Sequence, residues 1–218
     1  MTDDLVIVGA GRSAGAIVWM VNELNHASPR WRLRGFLDDD LARKGTEVFG
    51  FPVLGPTAAA AELGDARFVI GVAHYRRPFA RAEIVARLNL PRERFATLVH
   101  PSASVAPQAH VGVGVLAFHY VLISDGASVG DHAYLSAYCL VAHDAVVGDG
   151  ATMAARSSLL GGSRLGPSAY AGGHCVIRDG ITVGEGAVVG LGGVVVWDVA
   201  PRATVIGNPA RPIPGSGK

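Results

Sequence analysis

The sequence predicts two architectures in series: an α/β domain over residues 1–100, then an all-β parallel β-helix over residues 101–205, closed by a tail at 206–218. Three observations predict it. Before residue 100, strand-like apolar runs alternate with helix-like ones. After it, apolar residues recur every six positions. Glycine, at 29 of 218 residues, has most of its excess beyond residue 105.

The first element is the run "LVIV" at 5–8, followed by a glycine turn and a helix with Ile17, Val18, Val21 and Leu24 on one side. "WRLRGFLDDD" is a second strand ending in acids, "ARFVIGVAH" a third, "PFARAEIVARLNL" a helix opening on Pro78, and "RFATLVH" a fourth strand. Such alternation implies a parallel sheet with a ligand crevice at its carboxyl edge. Gly9, Gly11 and Gly15 nearly match a dinucleotide fingerprint, the third glycine coming one residue late. Amide groups at a helix N-terminus hold phosphate, and an acid such as Asp38 at a strand end takes hydroxyl or imide hydrogens. About 95 residues suffice for half of a Rossmann-like domain, which is a mononucleotide-sized site and too little for NAD.

From Val105 to Val195 every sixth residue is apolar, sixteen in a row without a slip. The slot one later is often glycine, and the slot four later is small, as in Ala127, Ala133 and Cys139. This is the pattern of a prism in which three six-residue edges make one coil. Successive coils stack at about 4.8 Å. Cys139 and Cys175 occupy equivalent slots two coils apart, about 9–10 Å, which is too far for a disulfide. They are expected to be small core residues.

Composition narrows the function. Net charge is +1 and no basic cluster exceeds two residues, so no nucleic-acid or membrane partner is expected. The acidic, glycine-rich start is unlike a signal peptide, and no apolar run reaches about 18 residues. With two cysteines only, the expected setting is cytoplasmic.

One polar pair interrupts the prism, His143-Asp144 in "LVAHDAVVGD". One 18-residue coil beyond His143 lies Gly161. Together with "GAG", "FLDD", "HPSA" and the closing "VIGNPARPI", the pattern resembles the bacterial nucleotide-sugar acetyltransferases: the UDP-4-amino-sugar N-acetyltransferases and the related sialic-acid O-acetyltransferases. The resemblance covers nearly the whole chain. It implies a left-handed β-helix, a homotrimer with acetyl-CoA between prisms, no metal, and glycan biosynthesis. It also implies direct N-acetylation of a nucleotide-linked amino sugar of the UDP-4-amino-4,6-dideoxy type.

By the same resemblance, His143 is the general base and Asp144 its orienting acid, with Gly161 donating its amide to the acetyl carbonyl. Acetyl-CoA is further expected at Gly173 and Arg211. The nucleotide sugar is expected at Gly9, Gly11, Arg12, Ser13, Asp38, Asp39 and Ser136. The chain departs from the family where a second histidine and an asparagine are common, having Thr152 and Ser136 there, and its phosphate loop reads "GRSAG". His174 is expected to be solvated, and Trp19 and Trp197 to be packing residues.

Three rival readings remain. The acetyl group could go to oxygen, as on sialic acid. The chain could be a non-catalytic nucleotide-binding trimer. A zinc enzyme on the same prism needs three converging histidines, and the prism histidines show no close pair in sequence.

Overall fold

The computed structural model describes residues 2–213; the last five residues of the expected tail lie outside that range. The front of the chain forms β1 (Asp3–Val8), α1 (Ala14–Ala27), β2 (Trp31–Leu37), β3 (Glu47–Val48), β4 (Phe51–Gly55), β5 (Arg67–Ile70) and α2 (Ala80–Leu88). The sheet order is β3-β4-β2-β1-β5, parallel except for the β3–β4 hairpin. Leu5, Val6, Ile7 and Val8 are buried as one continuous run, because this parallel sheet is covered on both faces.

Two sequence expectations need correction here. The fourth strand of the parallel sheet is β4, and the segment expected to supply it goes elsewhere. Phe95 makes only a single bridge to Phe68, while Leu98–Val99 pairs with Leu116–Ala117, 18 residues on. The six-residue register therefore starts at Val99, one step earlier than Val105, and takes that strand into the prism. β4 carries Pro52, which has no amide hydrogen for a ladder and hides the strand from propensity arguments.

The prism is a parallel β-helix of two-residue strands, each paired with the strand 18 residues away. Its three faces run through Leu122–Ile123, Ser128–Val129 and Tyr134–Leu135, and are called the first, second and third face. The second residue of each strand points inward. From Ala117 to Val195 these residues are at most 2% exposed, while Val105 and Val111 at the open end are only partly covered. Cys139 and Cys175 are buried free thiols in the core, as the spacing predicts.

A second beat accompanies the first. Every sixth residue from Gly114 to Gly192 has φ between 55° and 72°, and half of these fourteen corner positions are not glycine. Tyr120, His132, Tyr138, Asp144, Arg156, Ser168 and His174 all hold a left-handed backbone. Such residues are uncommon there. The neighbouring coils impose the corner: the amide of Tyr138 donates to the His119 carbonyl one coil back, and that of Asp144 to Asp125 in the same way.

The front domain rests on the third face. That face's outward residues Leu98, Leu116, Tyr134, Thr152 and Val188 are all buried, whereas Leu122 on the first face and His110 on the second are exposed. Arg81 from α2 is enclosed at this junction, where it donates to the Ile70 and Val72 carbonyls and lies 5.1 Å from the Tyr134 ring. Burial lowers its pKa to about 10. Glu23 of α1 fixes the other side, accepting from His100 Nε2 at 2.9 Å and His119 Nε2 at 2.6 Å.

Candidate active site

His143 follows the inward Val141 by two residues, at the corner between the first and second faces. The same slot on successive coils holds Asp125, His143, Gly161, Asp179 and Trp197, so these five residues form one edge of the prism. His143 Nδ1 lies 3.1 Å from Asp144 Oδ2, and both side chains are about 70% exposed, at 70% and 73%. With Nδ1–H donated to that carboxylate, Nε2 carries the lone pair and acts as the base.

Gly161 stands directly above the imidazole. A Cβ on Gly161 would lie 2.5 Å from both His143 Nε2 and Cε1. Its amide is not idle: it donates to Asp179 Oδ1 at 3.1 Å. Base, main-chain amide and carboxylate thus meet at one opening on the edge.

Trp197 lies three coils beyond His143, roughly 14 Å along the stack. Its ring is 54% exposed, and the Arg211 guanidinium sits 4.0 Å above it. Together they line a cavity of about 480 Å³ at the end of the prism. Sequence reasoning expects Trp197 to be a packing residue; its exposed face and cationic neighbour instead suit a planar or anionic group. Trp19, 56% exposed, lies 4.3 Å from the His119 ring.

The front domain holds a second cavity, about 310 Å³, at the carboxyl edge of its sheet, lined by Gly9, Asp38, Asp39, Thr57, Arg77 and Arg87 among others. Gly9 has φ of 102°, and a Cβ there would meet the Val72 side chain at 2.7 Å. Asp38 braces the glycine turn by accepting from the Ala10 amide at 2.8 Å. Asp39 accepts from the Thr57 amide and hydroxyl, both at 2.8 Å, and pairs with Arg87 at 2.9 Å. Desolvation opposes its charge, but these donors outweigh it and hold the carboxyl below its usual range. Ser13 donates to the Gly71 carbonyl, while Gly11 and Arg12 are exposed at the mouth of α1. Sequence reasoning missed Thr57, Arg77 and Arg87, which come from segments with no motif of their own.

The structure does not bring all the expected site residues together in one chain. His143, Asp144 and Gly161 share one edge, with Arg211 at its far end. Ser136, Gly173 and His174 lie at the corner between the third and first faces, where Tyr120 and Tyr138 stack at 4.8 Å and Arg156 lies 5.3 Å from the Tyr138 ring. Thr152 lies under the front domain. The nucleotide cavity belongs to the domain on the third face, and the corner carrying His143 is the one opposite that face.

Glu23, His100 and His119 place one ligand atom each within 4.8 Å of one another, a convergence that sequence spacing does not show. The Ser102 amide donates to His100 Nδ1 at 3.1 Å. His100 therefore carries its proton on Nε2 and gives it to Glu23, which leaves no lone pair there for a metal. The thiols are equally unsuited to chemistry, since burial pushes Cys139 up to about 11 and Cys175 up to about 12.

Perosamine N-acetyltransferase from Caulobacter crescentus, solved with CoA and GDP-perosamine, matches with a TM-score of 0.83 and 27% identity over 98% of each chain. The acetyltransferase domain of PglB from Neisseria gonorrhoeae matches at 0.84 and 27% identity, over 97% of this chain and 100% of that one. From end to end, the chain resembles the hexapeptide-repeat nucleotide-sugar N-acetyltransferases. Among curated sequences, UDP-N-acetylbacillosamine N-acetyltransferase of Bacillus subtilis is 31% identical over 115 residues. That match spans about half of each protein, 52% of this chain and 50% of the relative. No family model matches the chain. Among the described residues, no helix is long and apolar enough to cross a membrane.

Proposed function

We propose that this protein transfers the acetyl group of acetyl-CoA to the amine of a nucleotide-linked amino sugar. The observation that carries this reading is the convergence of the His143 imidazole, oriented by Asp144, with the Gly161 amide of the next coil. His143 Nε2 takes a proton from the amine as it attacks the thioester carbon, and the amide stabilises the oxyanion that forms. The tetrahedral intermediate expels CoA thiolate, which takes up a proton, so no covalent enzyme intermediate is needed. Residues 1–100 bind the nucleotide sugar, 101–205 carry the transfer, and 206–218 cap the coenzyme end, where Arg211 meets its phosphates.

The active unit in this reading is a homotrimer. Its support is the position of His143 opposite the face that carries the front domain, so that a sugar held in one chain's cavity is presented to another chain's base. Tyr120, Tyr138 and Leu122 are 56%, 52% and 42% exposed along the first face and its leading corner, an uncovered apolar edge for a second copy. The reading also carries a cytoplasmic setting and a role in glycan biosynthesis. Amine transfer is favoured over the oxygen-acceptor and scaffold readings by the solved relatives, whose printed names are N-acetyltransferase and acetyltransferase.

The deciding experiment follows free-thiol release from acetyl-CoA with a panel of nucleotide-linked amino sugars, UDP-, GDP- and dTDP-linked. Release with at least one amine acceptor is expected. Release only with a sialic acid reverses the choice, and nucleotide-sugar binding without release with any acceptor leaves the scaffold.

A further inference from the structure

The amide that an acetyl oxygen would need already has an acceptor. Gly161 N–H donates to Asp179 Oδ1 at 3.1 Å, and that same oxygen lies 3.3 Å from the point a Gly161 Cβ would occupy. His143 Nε2 lies 2.5 Å from that point on its other side. The opening above Gly161 is therefore bounded by the base on one coil and the carboxylate on the next. A group placed there to be attacked meets Asp179 first.

Capping of this kind occurs elsewhere in the prism. The amide of Val113 donates to Asp131 Oδ1, and that of Asp131 to Asp149 Oδ1, each at 2.8 Å and each 18 residues on. Those caps lie at the corner leading from the second face to the third, away from His143. Asp179 makes the same bond at the reactive edge, where the amide has a second task.

We propose that Asp179 is a built-in occupant of the acetyl oxygen's position, a positioning residue that masks the Gly161 amide until the thioester carbonyl displaces it. This rests on the acetyltransferase reading above and adds to it a cost of binding specific to the acetylated coenzyme. Free CoA has no carbonyl and need not disturb the bond. Exchanging one acceptor for another on the same amide makes the enzyme discriminate less between acetyl-CoA and CoA than its donors would allow. A typical net hydrogen bond corresponds to about two- to tenfold in affinity.

Calorimetric titration of the full chain with acetyl-CoA and, separately, with CoA tests this in wild type, Asp179→Ala and Asp179→Asn. Asp179→Ala is expected to raise the preference for acetyl-CoA over CoA by about two- to tenfold. Asp179→Asn, which keeps a weaker, uncharged acceptor and guards against an Ala variant that fails to fold, is expected to fall between. A merely structural role would change both affinities together. A preference unchanged or lowered in the folded variants overturns the proposal while leaving the acetyltransferase reading intact. Wild-type protein that binds neither coenzyme form overturns both.

Discussion

His143 and Gly161 are 18 residues apart in sequence and one coil apart in space, so close that a single methyl group on the glycine would lie 2.5 Å from the imidazole Nε2. The turnover of Gly161→Ala is therefore expected to drop by about 10²-fold or more, since small misplacements at a reacting centre cost that much. The position is at an exposed edge and its φ needs no glycine, so the melting temperature is expected to change little. Thiol-release kinetics beside a thermal melt separate the two effects.

His143→Ala is expected to lower kcat by about 10²- to 10⁴-fold, the usual worth of a general base. Asp144 has φ of 58°, a conformation Asn tolerates better than most residues. Asp144→Asn therefore removes the charge without straining the corner, and kcat is expected to fall with little change in the KM of either substrate. A His143→Ala enzyme with near-normal turnover would exclude the mechanism.

The separation of the nucleotide cavity from His143 predicts complementation between subunits. Gly11 is surrounded by open space, nothing lying within 4 Å of the position a Cβ would take there, so Gly11→Leu obstructs the phosphate loop while leaving the fold alone. Gly11→Leu and His143→Ala are each expected to be nearly inactive. Co-expressed, they are expected to form mixed oligomers with measurable activity, because some sites combine an intact cavity with an intact base. Absence of recovery in verified mixed oligomers means that each chain serves its own site.

The Glu23 latch predicts a pH dependence of stability. Desolvation opposes its charge, but hydrogen bonds from His119 and then His100 outweigh it and hold its carboxyl below the ordinary glutamate value of 4.5. A carboxyl depressed in the folded state contributes stability above its unfolded value and loses it as pH falls through the folded one. The melting-temperature difference between wild type and Glu23→Gln is therefore expected to be full near neutrality and to shrink as pH falls below about 4.5. A difference that stays constant from neutrality to pH about 3 would show that the carboxylate's charge is not what the two histidines hold.

The prism is legible in the sequence because its rule is local and repeated. An inward aliphatic residue every six positions fixes strand, corner and register together, and with an 18-residue coil it already puts Gly161 above His143. The glycine turn, α1 and the strands ending at Leu37 and Ile70 are legible for a similar reason, since each carries its own periodicity. Pro52 hides β4, and the two-residue strand Leu98–Val99 is too short to reveal which sheet it joins. Tertiary structure alone decided which face the front domain covers, that Asp179 takes the Gly161 amide, that Glu23 meets two histidines, and that Ser136 and Gly173 lie a corner away from His143. These depend on how separate segments pack in three dimensions. Short-range pattern sets the spacing along each coil, but the approach of side chains from distant segments is fixed only when those segments bury one another's apolar surface.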